Sequence, residues 1–328
     1  MRAIWYERTG AAAEVLIAGQ LPTPDAGPGE VRVRLRASGV NPADTYRRQG
    51  QSPIDFDRVV PNSDGAGDVD QVGAGVSQVW LGKRVWLYNG QRNGRWCGTA
   101  AEYITLDVDL VTELPAHIGY AEGATLGIPC MTAHRGVFVA GPVHGRSVLV
   151  TGGGGAVGHY AIQLAKWAGA RVFTTVGHRH NAARAKAAGA DGIIDYKTED
   201  VAQRLAEMTG DAGVDHVVEV DFGGNLATSL AAVRLNGSIA LYATNGNRAP
   251  VLPVRTLMQK NLTIYSIMLP TSPHDARRRA QSDIAAWLST GQRLLSVSGL
   301  FPLAETARAH ERVERGGKLG TVVVEPHK

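Results

Sequence analysis

The sequence predicts an α/β fold in which a doubly wound parallel six-stranded sheet is joined to a mostly-β domain. Three observations predict it. Residues 151–158 (TGGGGAVG) form a glycine-rich loop between an apolar run at 147–150 and a helical pattern from 160. From 147 onward strand-like and helix-like segments alternate, the rhythm of parallel strands joined by helical crossovers. The first third holds short alternating strands broken by Gly- and Pro-rich turns, such as 22–28 (PTPDAGP).

In the first third, strands are expected at 31–37, 67–72, 84–88 and 101–106. Arg32, Arg34 and Arg36 alternate with Val31, Val33 and Leu35, which makes the arginines the wet face of a strand rather than a basic patch. The sheet strands follow at 147–150, 171–176, 192–195, 216–220, 238–242 and 262–267, with crossover helices at 156–168, 181–188, 201–208 and 226–233. The tail reads as a helix at 276–289, a segment at 304–313 and a strand at 320–325 that rejoins the first domain.

A chain of 328 residues exceeds what one hydrophobic core serves, so two domains are expected. The net charge of +4 is too mild, and its lysines and arginines too scattered, to support a nucleic-acid partner. Cys97 and Cys130 are far apart and imply no disulfide framework, which fits a reducing cytoplasm. Residues 1–6 run straight into a strand-like pattern with no cleavage site, and no segment nears the roughly 18 apolar residues of a membrane span; neither secretion nor membrane insertion is supported.

The loop is the chemical signal. Gly152 and Gly155 let the backbone turn and approach a pyrophosphate, and Gly158 lets the following helix pack close and aim its amino end at the anion. The spacing is GxxGxxG rather than GxGxxG, and a flexible surface turn is the bland alternative; the flanking strands and helix argue against it. Enzymes that use NAD place an acid after the second strand. Here Val176 is followed by Gly177, His178, Arg179 and His180, and the Arg179 guanidinium suits a 2′-phosphate, so NADPH is favoured over NADH.

Residues 39–46 (GVNPADTY), 61–67 (PNSDGAG), 98–103 (GTAAEY), 123–129 (GATLGIP), 131–134 (MTAH), Asp195-Tyr196 and 317–320 (GKLG), together with the glycine loop, resemble the medium-chain dehydrogenase/reductase superfamily. The likeness is to its zinc-free branch, the quinone oxidoreductases similar to ζ-crystallin. It implies a GroES-like catalytic domain (1–124 and 268–328) and a Rossmann NADPH-binding domain (125–267). It places cofactor contacts on Tyr46, Thr132, Gly154, Gly155, Ala156, Val157, Gly177, His178, Arg179, Tyr196, Asn225, Tyr242, Ala243, Thr244, Asn245, Ser266, Ile267 and Met268. Many relatives carry a lysine where Asn181 stands, which blurs the exact phosphate contacts.

Zinc-dependent cousins would show a cysteine at Ser38, a His-Glu pair at Ser63-Asp64 and a third ligand near Ile128; with none of these, no metal is expected. A quinone or enone accepts hydride without a metal, needing only close placement and stabilisation of the developing oxyanion. Asn41 and Tyr46 are the candidate contacts to the acceptor carbonyl; the plain alternative is that Asn41 caps a turn ahead of Pro42 and Tyr46 packs on a helix. The resemblance thus implies an NADPH-dependent quinone reductase. Reduction of α,β-unsaturated aldehydes, ketones or thioesters is the close alternative, and an NADPH-binding structural or RNA-binding role the distant one. A homodimer paired through the edge strand 262–267 is expected.

Overall fold

A computed structural model describes every residue except Asn93 and Gln292. The chain divides into two compact units, Met1–Ile128 with Gln281–Lys328, and Pro129–Ala280. The return to the first unit is expected at 268. It falls instead inside the helix His274–Ser289, whose Gln281 Nε2 donates to Asp109 O at 3.0 Å and to Thr112 Oγ1 at 2.9 Å.

In the second unit six parallel strands are β1 (Ser147–Val150), β2 (Arg171–Val176), β3 (Gly192–Asp195), β4 (Val214–Glu219), β5 (Val233–Leu241) and β6 (Thr263–Ser266). Their order across the sheet is β3-β2-β1-β4-β5-β6, the doubly wound order that reverses between β1 and β4. Helices cover both faces, so the strands are apolar on both sides; Leu149, Phe173, Ile194, Val217 and Ile239 are all buried. Two crossover helices start earlier than the apolar pattern suggests. Arg179–Ala187 and Phe222–Ala232 open on His178 and Asp221, polar residues at the carboxyl ends of strands.

In the first unit, among the described residues, a seven-stranded sheet is centred on Glu30–Val40, flanked by Asp64–Val72 and by the C-terminal strand Thr321–Glu325. The tail strand therefore returns as expected, with Val324 opposite Ser38. Val31, Val33 and Leu35 are buried while Arg32 and Arg36 pair outward with Asp70 and Asp68. The strand Val297–Pro302 and the helix Pro42–Arg48 lacked a strong periodic signal. The helix begins because Pro42 fits a first helical turn and Asp44 accepts from the Asn41 N–H at 2.8 Å, closing the start from inside. Among the described residues no helix is long and apolar enough to cross a membrane.

Candidate functional site

Beyond β1 the chain turns through Thr151 and four glycines into the helix Ala156–Trp167. Gly152 sits at φ +68°, where a side chain is strained, and its N–H donates to Thr175 Oγ1 at 3.0 Å, hooking the loop to the end of β2. A Cβ at Gly158 would stand 2.4 Å from the Gly152 carbonyl oxygen, so only glycine lets this helix lie so close to its loop. Gly155 leads into the helix without a side-chain cap, which leaves first-turn amides at Ala156 and Val157 for an anion; Gly154 packs on Asn181.

A cavity of about 600 Å³ opens at the carboxyl ends of β1 to β4, lined in part by Thr151, Gly152, Thr175, Tyr196, Val220, Asp221 and Asn225. Its place is the crevice where the strand order reverses, the general ligand site of such sheets. The glycine cradle and the cavity together fit a dinucleotide.

At the end of β2 the side chains of His178, Arg179 and His180 are exposed. The His178 and His180 rings stack 5.5 Å apart at 5°. Lys197 Nζ lies 3.3 Å from His178 Nε2, adding a cation that the sequence reading missed although it directly follows Tyr196. Tyr196 is 55% exposed and lies over Gly177, where a Cβ would be 2.7 Å from its hydroxyl.

Glu219, the last residue of β4, was also missed. It is fully buried, and its carboxylate accepts from Thr151 Oγ1 (3.0 Å), Asp221 N (2.7 Å), Asn225 Nδ2 (2.8 Å) and Ser229 Oγ (2.6 Å). Four donors compensate the buried charge and turn Asn225 Nδ2 inward at the cavity wall. Tyr242, Ala243, Thr244 and Asn245 follow β5; Ser266 ends β6 in register with Leu241, and Ile267 and Met268 follow it. Thr244 Oγ1 accepts from Gly223 N at 3.1 Å, and Thr132 is 7% exposed on the helix Met131–Phe138. The structure thus sets the loop, Tyr196, Asn225 and the 242–245 and 266–268 segments along one edge of one sheet.

Asn41 and Tyr46 belong to the first unit. Asn41 is 3% exposed and Nδ2 donates to Asp64 Oδ2 at 2.7 Å; Tyr46 is half-buried and its hydroxyl has no partner among the described residues. Around them lies a sealed polar network. Ser38 Oγ bonds Thr99 Oγ1 at 2.7 Å, Asn62 Nδ2 donates to Ser38 Oγ at 2.9 Å, and His310 Nε2 meets Asn62 Oδ1 at 2.9 Å. Fully buried Arg48 bonds His310, Gly10 O and Glu314. Burial, then the neighbouring Arg48 cation, pushes His310 down to about 3.

Zinc does not fit this donor set. Ser38 and Asp64 are spent on internal hydrogen bonds, Ile128 offers only its backbone, and among the described residues no three His, Cys, Asp or Glu side chains converge. Burial pushes the Cys97 thiol up to about 12 and raises that of Cys130, so both behave as packing residues.

Comparison with known proteins bears on this site. Residues 27–116 match the alcohol dehydrogenase GroES-like domain, and 156–285 match the family described as zinc-binding dehydrogenase. The chain is 28% identical to the quinone oxidoreductase of Rattus norvegicus over 99% of this chain and 97% of that one. A mycobacterial quinone oxidoreductase is 31% identical with a TM-score of 0.85, covering 99% of this chain and 100% of its own. Quinone oxidoreductase of Escherichia coli, solved with NADPH, is 26% identical with a TM-score of 0.86 and the same coverage.

Proposed function

Since the chain belongs to the quinone oxidoreductases of the medium-chain dehydrogenase/reductase superfamily, we propose that it is an NADPH-dependent reductase of quinones that works without a bound metal. The observation that carries the coenzyme choice is the cationic end of β2, where His178, Arg179 and Lys197 stand and no carboxylate follows Val176. The relative solved with NADPH supports the same choice.

In this reading the segment from Gly154 to Val157 holds the pyrophosphate, with the first-turn amides of Ala156 and Val157 as donors, Arg179 and Lys197 hold the 2′-phosphate, and Tyr196 and Asn225 the adenosine half. The segments 242–245 and 266–268, with Thr132, hold the nicotinamide half. Bound NADPH supplies a hydride to an electron-poor acceptor. The chain's part is to fix that acceptor and offer its carbonyl oxygen hydrogen bonds, from the Asn41 amide and the Tyr46 hydroxyl; water can supply the remaining proton. Two buried thiols suit a reducing cytoplasm. A homodimer pairing the edge strand β6 would cover its open edge, and the exposed Val251, Val254 and Met258 lie in the segment just before it in the chain.

The test is NADPH consumption with 1,4-benzoquinone, an alkenal and crotonyl-CoA side by side. Benzoquinone is expected to be the fastest acceptor; preference for the alkenal or thioester moves the assignment to enone reduction, and inactivity with all three removes it. The Arg179→Ala, Lys197→Ala double variant should weaken NADPH binding about 10- to 100-fold and leave NADH binding unchanged.

A further inference from the structure

Asp64 is fully buried with no cation in ion-pair contact among the described residues, and its carboxylate is served by amides instead. Oδ2 accepts from Asn41 Nδ2 at 2.7 Å, and both oxygens accept from Ile128 N–H at 2.9 Å. We propose that Asp64 is a positioning residue for acceptor reduction: by taking one Nδ2–H of Asn41 it fixes that amide's plane and which end faces inward, leaving the second N–H for the acceptor's oxygen. This rests on the reading that Asn41 meets the acceptor.

An asparagine amide has two nearly equivalent flips, and its neighbours decide between them. Burial raises the Asp64 carboxyl well above the usual carboxylate range while the Asn41 and Ile128 donors oppose the rise; with its oxygens accepting from Ile128 N–H, the ionised group takes Nδ2 and not Oδ1 of Asn41. The carboxylate itself cannot swing. A Cβ at Gly127 would lie 2.2 Å from Asp64 Oδ1, and the Asp64 carbonyl accepts from Thr99 Oγ1 at 2.6 Å. The other end of Asn41 is clamped too. Its backbone N–H donates to Asp44, which also takes Ser63 Oγ at 2.7 Å and Arg92 at 3.1 Å. Main chain and side chain of Asn41 are each referenced to a different buried carboxylate. A role limited to tying Ile128 to its neighbours would need only one of the two Asp64 contacts.

The test is a double-mutant cycle of Asn41→Ala and Asp64→Asn in the full chain, with 1,4-benzoquinone as acceptor. In Asp64→Asn the new NH2 opposes a donor, so the pair with Asn41 or Ile128 is lost. Each single variant should lower kcat/KM about 10- to 100-fold with NADPH Kd within about twofold of the parent, and the double variant should be no worse than Asn41→Ala alone. Losses that multiply, or an Asp64→Asn protein with unchanged kcat/KM beside a damaged Asn41→Ala, overturn the proposal. A silent Asn41→Ala instead overturns the underlying reading of Asn41, and the proposal with it.

If Asp64→Asn fails to fold, the swapped pair Asn41→Asp, Asp64→Asn restores the hydrogen bond with donor and acceptor exchanged. It should melt near the parent yet stay at the kcat/KM of Asn41→Ala; recovery of parental kcat/KM contradicts the proposal. A readout independent of turnover is the Asn41 side-chain amide resonance pair in ¹⁵N-labelled protein. The two protons should be widely split in the parent, one held by Asp64, and draw together in Asp64→Asn; a narrowly split pair in the parent counts against it.

Discussion

The two units treat polar groups in opposite ways. In the second unit the donors lie at strand ends, where the loop amides and Tyr196 border an open cavity of about 600 Å³. In the first unit Arg48, Asp64 and His310 are sealed with no exposure and find their partners inside, Arg48 on His310 and Asp64 on Asn41 and Ile128. Polar groups left at an edge wait for a ligand, whereas polar groups closed into a network hold a geometry. The comparison predicts that damage to the second unit is read first in coenzyme affinity and damage to the first in stability and acceptor turnover.

The largest expected effect breaks the first unit. Arg48→Ala empties the space of a fully buried side chain and leaves the Gly10 carbonyl and the buried His310 without their donor, a change worth about 2–5 kcal/mol, and thermal melting should drop sharply. At temperatures where the variant stays folded, its NADPH Kd should match the parent's. Loss of coenzyme affinity in the folded variant would erase the distinction between the units.

Next in size is Gly158→Val. The new side chain meets the Gly152 carbonyl oxygen and must displace the helix from its loop, at a cost of about 1–3 kcal/mol and about 100-fold in NADPH affinity. Titration of coenzyme fluorescence checks it, and an unaltered Kd would mean that the loop does not carry the pyrophosphate.

The smallest effect is a pH slope. His310 is held neutral, with its folded value at about 3 against an ordinary 6.5, through burial and then Arg48. Its contribution to stability is therefore complete above about pH 6.5 and is lost progressively as pH falls toward 3. Melting curves from pH 7 to pH 4 should fall less steeply for His310→Gln than for the parent; parallel slopes would remove His310 from the buried network.

Much of the second unit was legible in the chain because its site is local. The glycines are contiguous, the apolar strands recur at regular spacing, and the missing acid after β2 can be read at a single position. Lys197 escaped notice because its role depends on β3 lying beside β2, a pairing that brings it to His178 from 19 residues away. The first unit hides its logic for the same reason on a larger scale. Its network draws on Ser38, Asn62, Thr99 and His310, and the bond from His310 to Asn62 spans 248 positions. Asp64 could be read in the sequence as a departure from a metal-binding pattern, but its hold on Asn41 and Ile128 emerges only once the strand and the later segment are packed together. The helix boundaries at Arg179 and Phe222 were displaced because neither the polar opening at 179–181 nor the glycine-rich one at 222–225 carries an apolar period.

The central claim is that the cationic end of β2 makes this an NADPH site, and calorimetric titration of the intact protein with NADPH and NADH tests it most directly. NADPH should bind at least about tenfold more tightly, in line with one or two charge-assisted contacts to the 2′-phosphate. Equal affinities, or tighter binding of NADH, would contradict the account.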